Sequence, residues 1–490
     1  MDFTEIANVG YLKQIGKIQT IAQISVKSEG ASKVLAVCPS TYVRVSETLT
    51  GEVRLAGRET LDVVVLTEDG VKRETGWTDF TDRAEIEGVT PSKKVTAMCK
   101  VLDTDVVSIT GGVISLASVI EITLYAEEDC NVPPRLETAD GIYAREEAMT
   151  FSQLVTTVKG KAELKTERMD YGSFLCASAR TCIKGSDTTL DAVEVYGEVV
   201  VDGLGVGEGG ALHPFSVTLP LSEELSAEGA RRGDTAHIKV ATTEVMVEEG
   251  EDGFILTVTV EFCGAVYADV AVTCATDAFS PDYELEIASE EVKGARIKEC
   301  KHIAEQISGS VTLPEGENAD RVLSVCAVDL STLSARADCG KAVVEGVLVG
   351  TVIYSDAEAG AKSSAPIEMP FSITTDMEMS ENDTVDVSGS VGAITVRPSR
   401  IGELTVKAEL HLTLVKQSDV CIKAVTSAHV GDEMPECTGS ISMYIGAEGE
   451  TLWDCAKALG VSPETVAFQN PDQKFPLNSC DKIFVFRNKN

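Results

Sequence analysis

Leu404, Val406, Ala408, Leu410, Leu412 and Leu414 fall on one side of the run GELTVKAELHLTLV (402–415), and Thr405, Lys407, Glu409, His411 and Thr413 on the other. A strict period of two predicts a strand with one packed face and one face toward water, whereas a helical period would scatter the leucines around the axis. His411, on the polar side, is expected to be solvated. Long alternating runs also occur at 111–125 (GGVISLASVIEITLY) and 253–262 (GFILTVTVEF). Val, Ile and Thr are abundant throughout, and EDG, GEDG and DAEAG punctuate the runs as turns do. Helical periodicity before residue 440 is sparse, with a turn or two of helix expected within 288–307 (ASEEVKGARIKECKHIAEQI).

The runs recur in order. VLAVCP (34–39) returns as VLSVCA (322–327), with FLCASA (174–179) as a weaker middle copy. A glycine-bearing strand follows each: LTGEVRLAG (49–57), VYGEVVVDG (195–203) and VVEGVLVGTVIY (343–354). The second and third copies then share a Pro-Phe-Ser motif, read as a turn, in HPFSVTLPL (213–221) and MPFSITTDM (369–377); WTDFTDRAEI (77–86) stands there in the first. Each copy closes with one of the long alternating runs. The pattern predicts a mainly β, multidomain chain of three tandem sandwich-like or barrel-like repeats at 1–140, 141–296 and 297–416, with a linker at 417–440.

The grammar changes at 441–490. ISMYI reads as a short strand. Thr451 is a good N-cap, Leu452, Ala456 and Leu459 form an apolar stripe beside Cys455, and Gly460 stops that helix. Ser462 and Pro463 start a second helix, with Val466 and Ala467 on its inward face, and Asn470-Pro471 ends it. KIFVF (482–486) returns as a strand, giving a βααβ unit. Charge marks the same boundary. The chain of 490 residues carries a net −36, while 441–490 holds six acidic and five basic side chains, so nearly all the excess lies before it.

The run from Tyr444 through GETLWDCAKALGVSPETVAFQNP (449–471) to PLNSCDKIFVF resembles a LysM domain, with Glu450 in place of the usual Asp and Cys480 where the family has Gly. The resemblance implies binding of N-acetylglucosamine polymers, peptidoglycan or chitin, in a shallow groove. Carried over, its walls are Gly449, Glu450, Thr451 and Leu452 on one side and Asn470, Pro471 and Asp472 on the other. Trp453, one residue off the apolar stripe, is either an exposed binding aromatic or a structural residue under the closing strand. A Cβ at position 480 would penalise a positive φ in a tight turn. Three β repeats ahead of such a tail resemble the SipL-type spore-coat morphogenetic proteins, tandem SPOCS domains with one LysM. That likeness implies a mother-cell cytoplasmic protein at the forespore surface, its LysM docking the coat's morphogenetic ATPase. The runner-up is a cell-wall protein binding peptidoglycan.

The acidic balance argues against non-specific nucleic-acid binding and against charge-driven docking on anionic membranes. No secretory leader and no membrane-spanning run are read from the sequence. Fourteen cysteines lie scattered without a CxxC pair and read as small buried hydrophobes of a reduced chain, a disulfide framework being the alternative. Five histidines lie far apart without ligand spacing, so no metal or other cofactor is expected. GVGEGG (205–210) matches GxGxxG but precedes a Pro-bearing strand, and so reads as a hairpin turn. EEGEDG (248–253) lacks EF-hand spacing and reads as a solvated hairpin tip. Trp77 is expected to pack in a core or hairpin. No catalytic residues can be nominated, and a non-enzymatic scaffold is expected.

Overall fold

The computed structural model describes residues 7–132, 141–250, 253–356, 362–435 and 440–487. They form a mainly β chain in which the same strand order occurs three times. The first unit contains β1 (Ala7–Lys27), β2 (Ala31–Leu49), β3 (Glu52–Thr67), β4 (Gly70–Glu85), β5 (Val95–Thr110) and β6 (Val113–Val132). β2-β3-β4 is an antiparallel meander, and β6 sits between β1 and β5 in a second sheet. The second unit repeats this with β7 (Tyr143–Lys165), β8 (Ser173–Thr188), β9 (Ala192–Val206), β10 (Leu212–Ser226), β11 (Thr235–Gly250) and β12 (Gly253–Phe279). The third uses β13 (Tyr283–Thr312), β14 (Ala319–Asp338), β15 (Lys341–Asp356), β16 (Lys362–Glu378), β17 (Asp383–Arg400) and β18 (Glu403–Glu433).

Within each unit the two sheets enclose apolar side chains, as one cluster in the second and third units and as two in the first. In the second, Val158 of β7 and Leu256 of β12 pack with Val193 and Val201 of β9. The inward series of β18, Leu404 to Leu414, is buried as the alternation requires. Its opposite face is not free. His411 and Thr413 are also buried, because β18 is a central strand and the second unit covers it. The expected solvation of His411 is thus corrected: its Nε2 lies 3.9 Å from Glu198 Oε1 and makes no hydrogen bond.

A glycine faces a phenylalanine across neighbouring strands in every unit, though not at one shared register position. Gly57 faces Phe80, Gly203 faces Phe215 and Gly346 faces Phe371. A Cβ on these glycines would stand 2.3, 2.2 and 2.8 Å from the ring it faces, so each ring lies flat on bare backbone. The Pro-Phe-Ser motifs therefore sit inside strands rather than at turns. Pro214 and Pro370 are tolerated because β10 and β16 are edge strands.

The predicted boundaries shift. Residues 288–307 are strand, not helix: β13 pairs with β18 along its length. Residues 417–433 are strand, not linker, and Val420, Ile422 and Ala424 alternate into a buried cluster. The third unit therefore spans 283–433, and the edges placed at 296/297 and 416/417 cut through β13 and β18. That buried cluster also draws Val132 from the first unit and Phe151 and Val272 from the second. A second shared cluster joins Leu35 and Cys38, Leu175 and Cys176, and Cys326 and Ile353. The units thus close on one another rather than extending as separate beads. Lys239 of β11 shows the closure in one side chain, donating to Tyr125 Oη of the first unit at 2.9 Å and to Asp386 Oδ2 of the third at 2.7 Å.

Candidate docking site

The C-terminal unit consists of β19 (Ile441–Ile445), α1 (Leu452–Leu459), α2 (Pro463–Gln469) and β20 (Lys482–Phe486). Thr451 caps α1 in a reciprocal box with Asp454, and Gly460 ends it at φ +60°. Ser462 caps α2 ahead of Pro463. Cys455, Ala456, Leu459 and Val466 meet Ile483 and Val485 in a small core. Ala467, expected to face inward, is exposed.

This core does not stand alone. Trp453 packs edge-on against Phe279 of β12 at 4.9 Å, and Phe279 stacks on Tyr143 of β7. Trp453 Nε1 donates to Asp277 Oδ2 at 2.9 Å, and Lys457 Nζ reaches both Asp277 oxygens at 2.7 Å. Burial alone would raise the Asp277 carboxyl, but the bonds from Lys457 and Trp453 hold it below its ordinary value. Trp453 is half-buried and engaged with the second unit, under neither the closing strand nor open solvent.

The other residues expected to line a groove divide by what they already hold. Glu450 accepts from Tyr444 Oη at 2.7 Å and from the Ala447 amide at 2.8 Å, and pushes the Tyr444 phenol up to about 12. Thr451 is spent on the cap. Asn470 uses its amide on both backbone groups of Phe484, and Gln469 does the same at Phe486, so α2 covers the outer edge of β20. Leu452 is half-buried, while Gly449, Pro471 and Asp472 are exposed. The first wall is bonded to Leu477 through Gly449 and Glu450 and to Asp277 through Trp453, whereas the second leans on β20.

Sequence reasoning missed the outer face of the small sheet. Ile441, Met443 and Ile445 are 61%, 53% and 56% exposed, beside Phe484 and Phe486 on the paired strand. The signal was present as alternation: ISMYI and KIFVF carry apolar residues on both faces, but the unit's helices cover one face only.

Other sequence candidates resolve simply. Trp77 lies outward under the Arg58 guanidinium at 4.5 Å rather than in a core. GVGEGG forms the end of β9 and a short 3-10 turn at Glu208–Gly210, followed by β10 rather than a helix. Of EEGEDG, residues 251–252 lie outside the described residues. No described helix is long and apolar enough to cross a membrane. No family model, curated protein or solved structure matches this chain.

Proposed function

We propose that this protein is a non-enzymatic adaptor of spore-envelope assembly, three tandem β repeats carrying a LysM-type unit that docks a morphogenetic partner protein, of the coat ATPase class, in the mother-cell cytoplasm. The observation that carries the reading is the bare apolar face of Ile441, Met443, Ile445, Phe484 and Phe486. Contiguous exposed apolar surface of this kind favours a protein interface over a glycan groove. Glu450, Thr451 and Asn470, which a sugar would need, already bond within the unit. The unit is near neutral while the body around it is strongly acidic, so its surface does not share the body's repulsion.

The test uses the full chain and the double variant Met443→Asp/Phe484→Asp. Binding to the coat ATPase is expected to fall at least tenfold in the variant, with neither form pelleting with purified peptidoglycan. Strong pelleting that survives the double substitution would replace this reading with the peptidoglycan-binding one.

A further inference from the structure

Each of the three β units contributes one thiol to a single buried point. Cys38 lies on β2, Cys176 on β8 and Cys326 on β14, and their sulfurs all lie within 4.8 Å of one another. Cys176 Sγ and Cys326 Sγ are 3.9 Å apart. All three residues are almost fully buried, at 4%, 0% and 1% exposure.

The strand register shows that this meeting is not the automatic product of a repeated residue. Cys38 pairs with Asp62, Ser178 with Asp202 and Cys326 with Thr351, and these three are equivalent positions in their units. Two residues earlier, after the same β-bulge, stand Ala36, Cys176 and Ser324. Simple repetition would have placed a thiol at Ser178 beside those of Cys38 and Cys326. The second unit instead carries its thiol one pleat along the strand, and three sulfurs still converge. Two hydroxyls belong to the same register positions. Ser324 Oγ lies 3.6 Å from Cys326 Sγ, and Ser178 Oγ is buried without a hydrogen-bond partner. The nearby carboxylates are already neutralised: Asp62 pairs with Arg73 and Asp202 with Arg180.

We propose that Cys38, Cys176 and Cys326 form a three-thiolate site for a thiophilic d10 cation of the zinc class, with a serine hydroxyl or water in the fourth position. Three sulfurs about 2.3 Å from one zinc ion lie roughly 3.8–4.0 Å apart. The Cys176–Cys326 pair already has that spacing, and Cys38 needs to close by about an ångström at most. Thiolate sets select zinc and softer cations over calcium and magnesium. Binding exchanges three thiol protons for one divalent cation and leaves a net −1 on the cluster. Because each ligand comes from a different unit and none is open to solvent, the ion enters as the units close and then staples all three.

The test is made on the full chain with Cys130, Cys339, Cys421, Cys437 and Cys480 replaced by serine, refolded with equimolar Zn²⁺ or Cd²⁺ and desalted. One ion per chain is expected to remain, with a thiolate-to-cadmium charge-transfer band. Cys176→Ser should lower retention at least tenfold, whereas Cys182→Ser, which removes a buried thiol outside the cluster, should leave it unchanged. Retention equal in Cys176→Ser and its parent overturns the proposal, as does a refolded parent that retains no metal. Should Cys176→Ser fail to fold, zinc-edge X-ray absorption of the parent decides: three sulfur neighbours support the site, and fewer overturn it.

Discussion

Cys480 holds φ at +69°, in the left-handed region that an L side chain enters at a cost of about 1 kcal/mol. The turn before β20 demands that conformation, which is why glycine is expected there. Cys480→Gly should stabilise the C-terminal unit by about 1 kcal/mol, read as slower hydrogen exchange in β20. Glu59 is a second residue set against its surroundings. It stands in the inward series Leu55, Gly57, Glu59, Leu61, Val63, is fully buried, and has neither oxygen hydrogen-bonded. Burial raises its carboxyl from 4.5 to about 7. The folded state therefore holds a proton that the unfolded chain has lost between those values. Stability from this group is fully present below about pH 4.5 and falls as pH rises to about 7 and beyond, by about 3 kcal/mol in all. Glu59→Gln should raise stability at pH 8 and flatten chemical-denaturation midpoints between pH 5 and 8. A midpoint profile unchanged by the substitution would contradict a neutral buried carboxyl.

Among elements, the glycine–phenylalanine pairs fix how the middle sheets pack. Gly203→Ala would put a Cβ 2.2 Å from Phe215 Cζ and 2.5 Å from the Cys176 carbonyl oxygen, and that backbone cannot move aside cheaply. The substitution should cost about 2 kcal/mol or more in urea melts. Phe215→Ala should cost about 3–5 kcal/mol. β13 shows tertiary pairing overriding local preference. Its Glu, Lys and Ala content favours helix locally, but a full-length ladder with β18 overrides a preference of a few tenths of a kcal/mol per residue. α1 is an element held by its neighbour. Trp453→Ala removes both the ring contact with Phe279 and the bond to Asp277, so α1 should lose protection from proteolysis while the three β units keep theirs.

At the scale of the molecule, side chains that cross between units decide the shape. Arg180 of β8 pairs with Asp202 and donates to the Val391 carbonyl at 2.8 Å and the Gly392 carbonyl at 3.2 Å, both on the third unit. Lys33 reaches Ser363 at 2.7 Å, joining the first unit to the third, and the Leu12 amide reaches Tyr267 Oη at 3.2 Å, joining the first to the second. Arg180→Ala would leave the half-buried Asp202 carboxylate and two carbonyls without the guanidinium. The expected loss is about 3–5 kcal/mol, seen as unfolding that separates into two transitions. A single unshifted transition would mean that the apolar clusters alone hold the units together. An acidic body closed in this way displays its C-terminal unit from one fixed place, because that unit is anchored to β7 and β12.

The alternation of apolar side chains, the glycine-bearing strands and the helix caps are local properties, and the sequence by itself settled them: a β chain of recurring runs ending in two short capped helices. Which surfaces those elements cover depends on segments more than a hundred residues apart, and only the tertiary structure decided it. His411 is dry because another unit lies on its strand. Trp453 is engaged because Asp277 stands opposite. Three cysteines from separate runs meet because the units close, and the outer face of β19 and β20 stays bare because none of the described residues folds over it. Periodicity states which side of a strand prefers burial. It cannot state which neighbour arrives to provide it, since that is fixed by the free energy of the whole packed assembly.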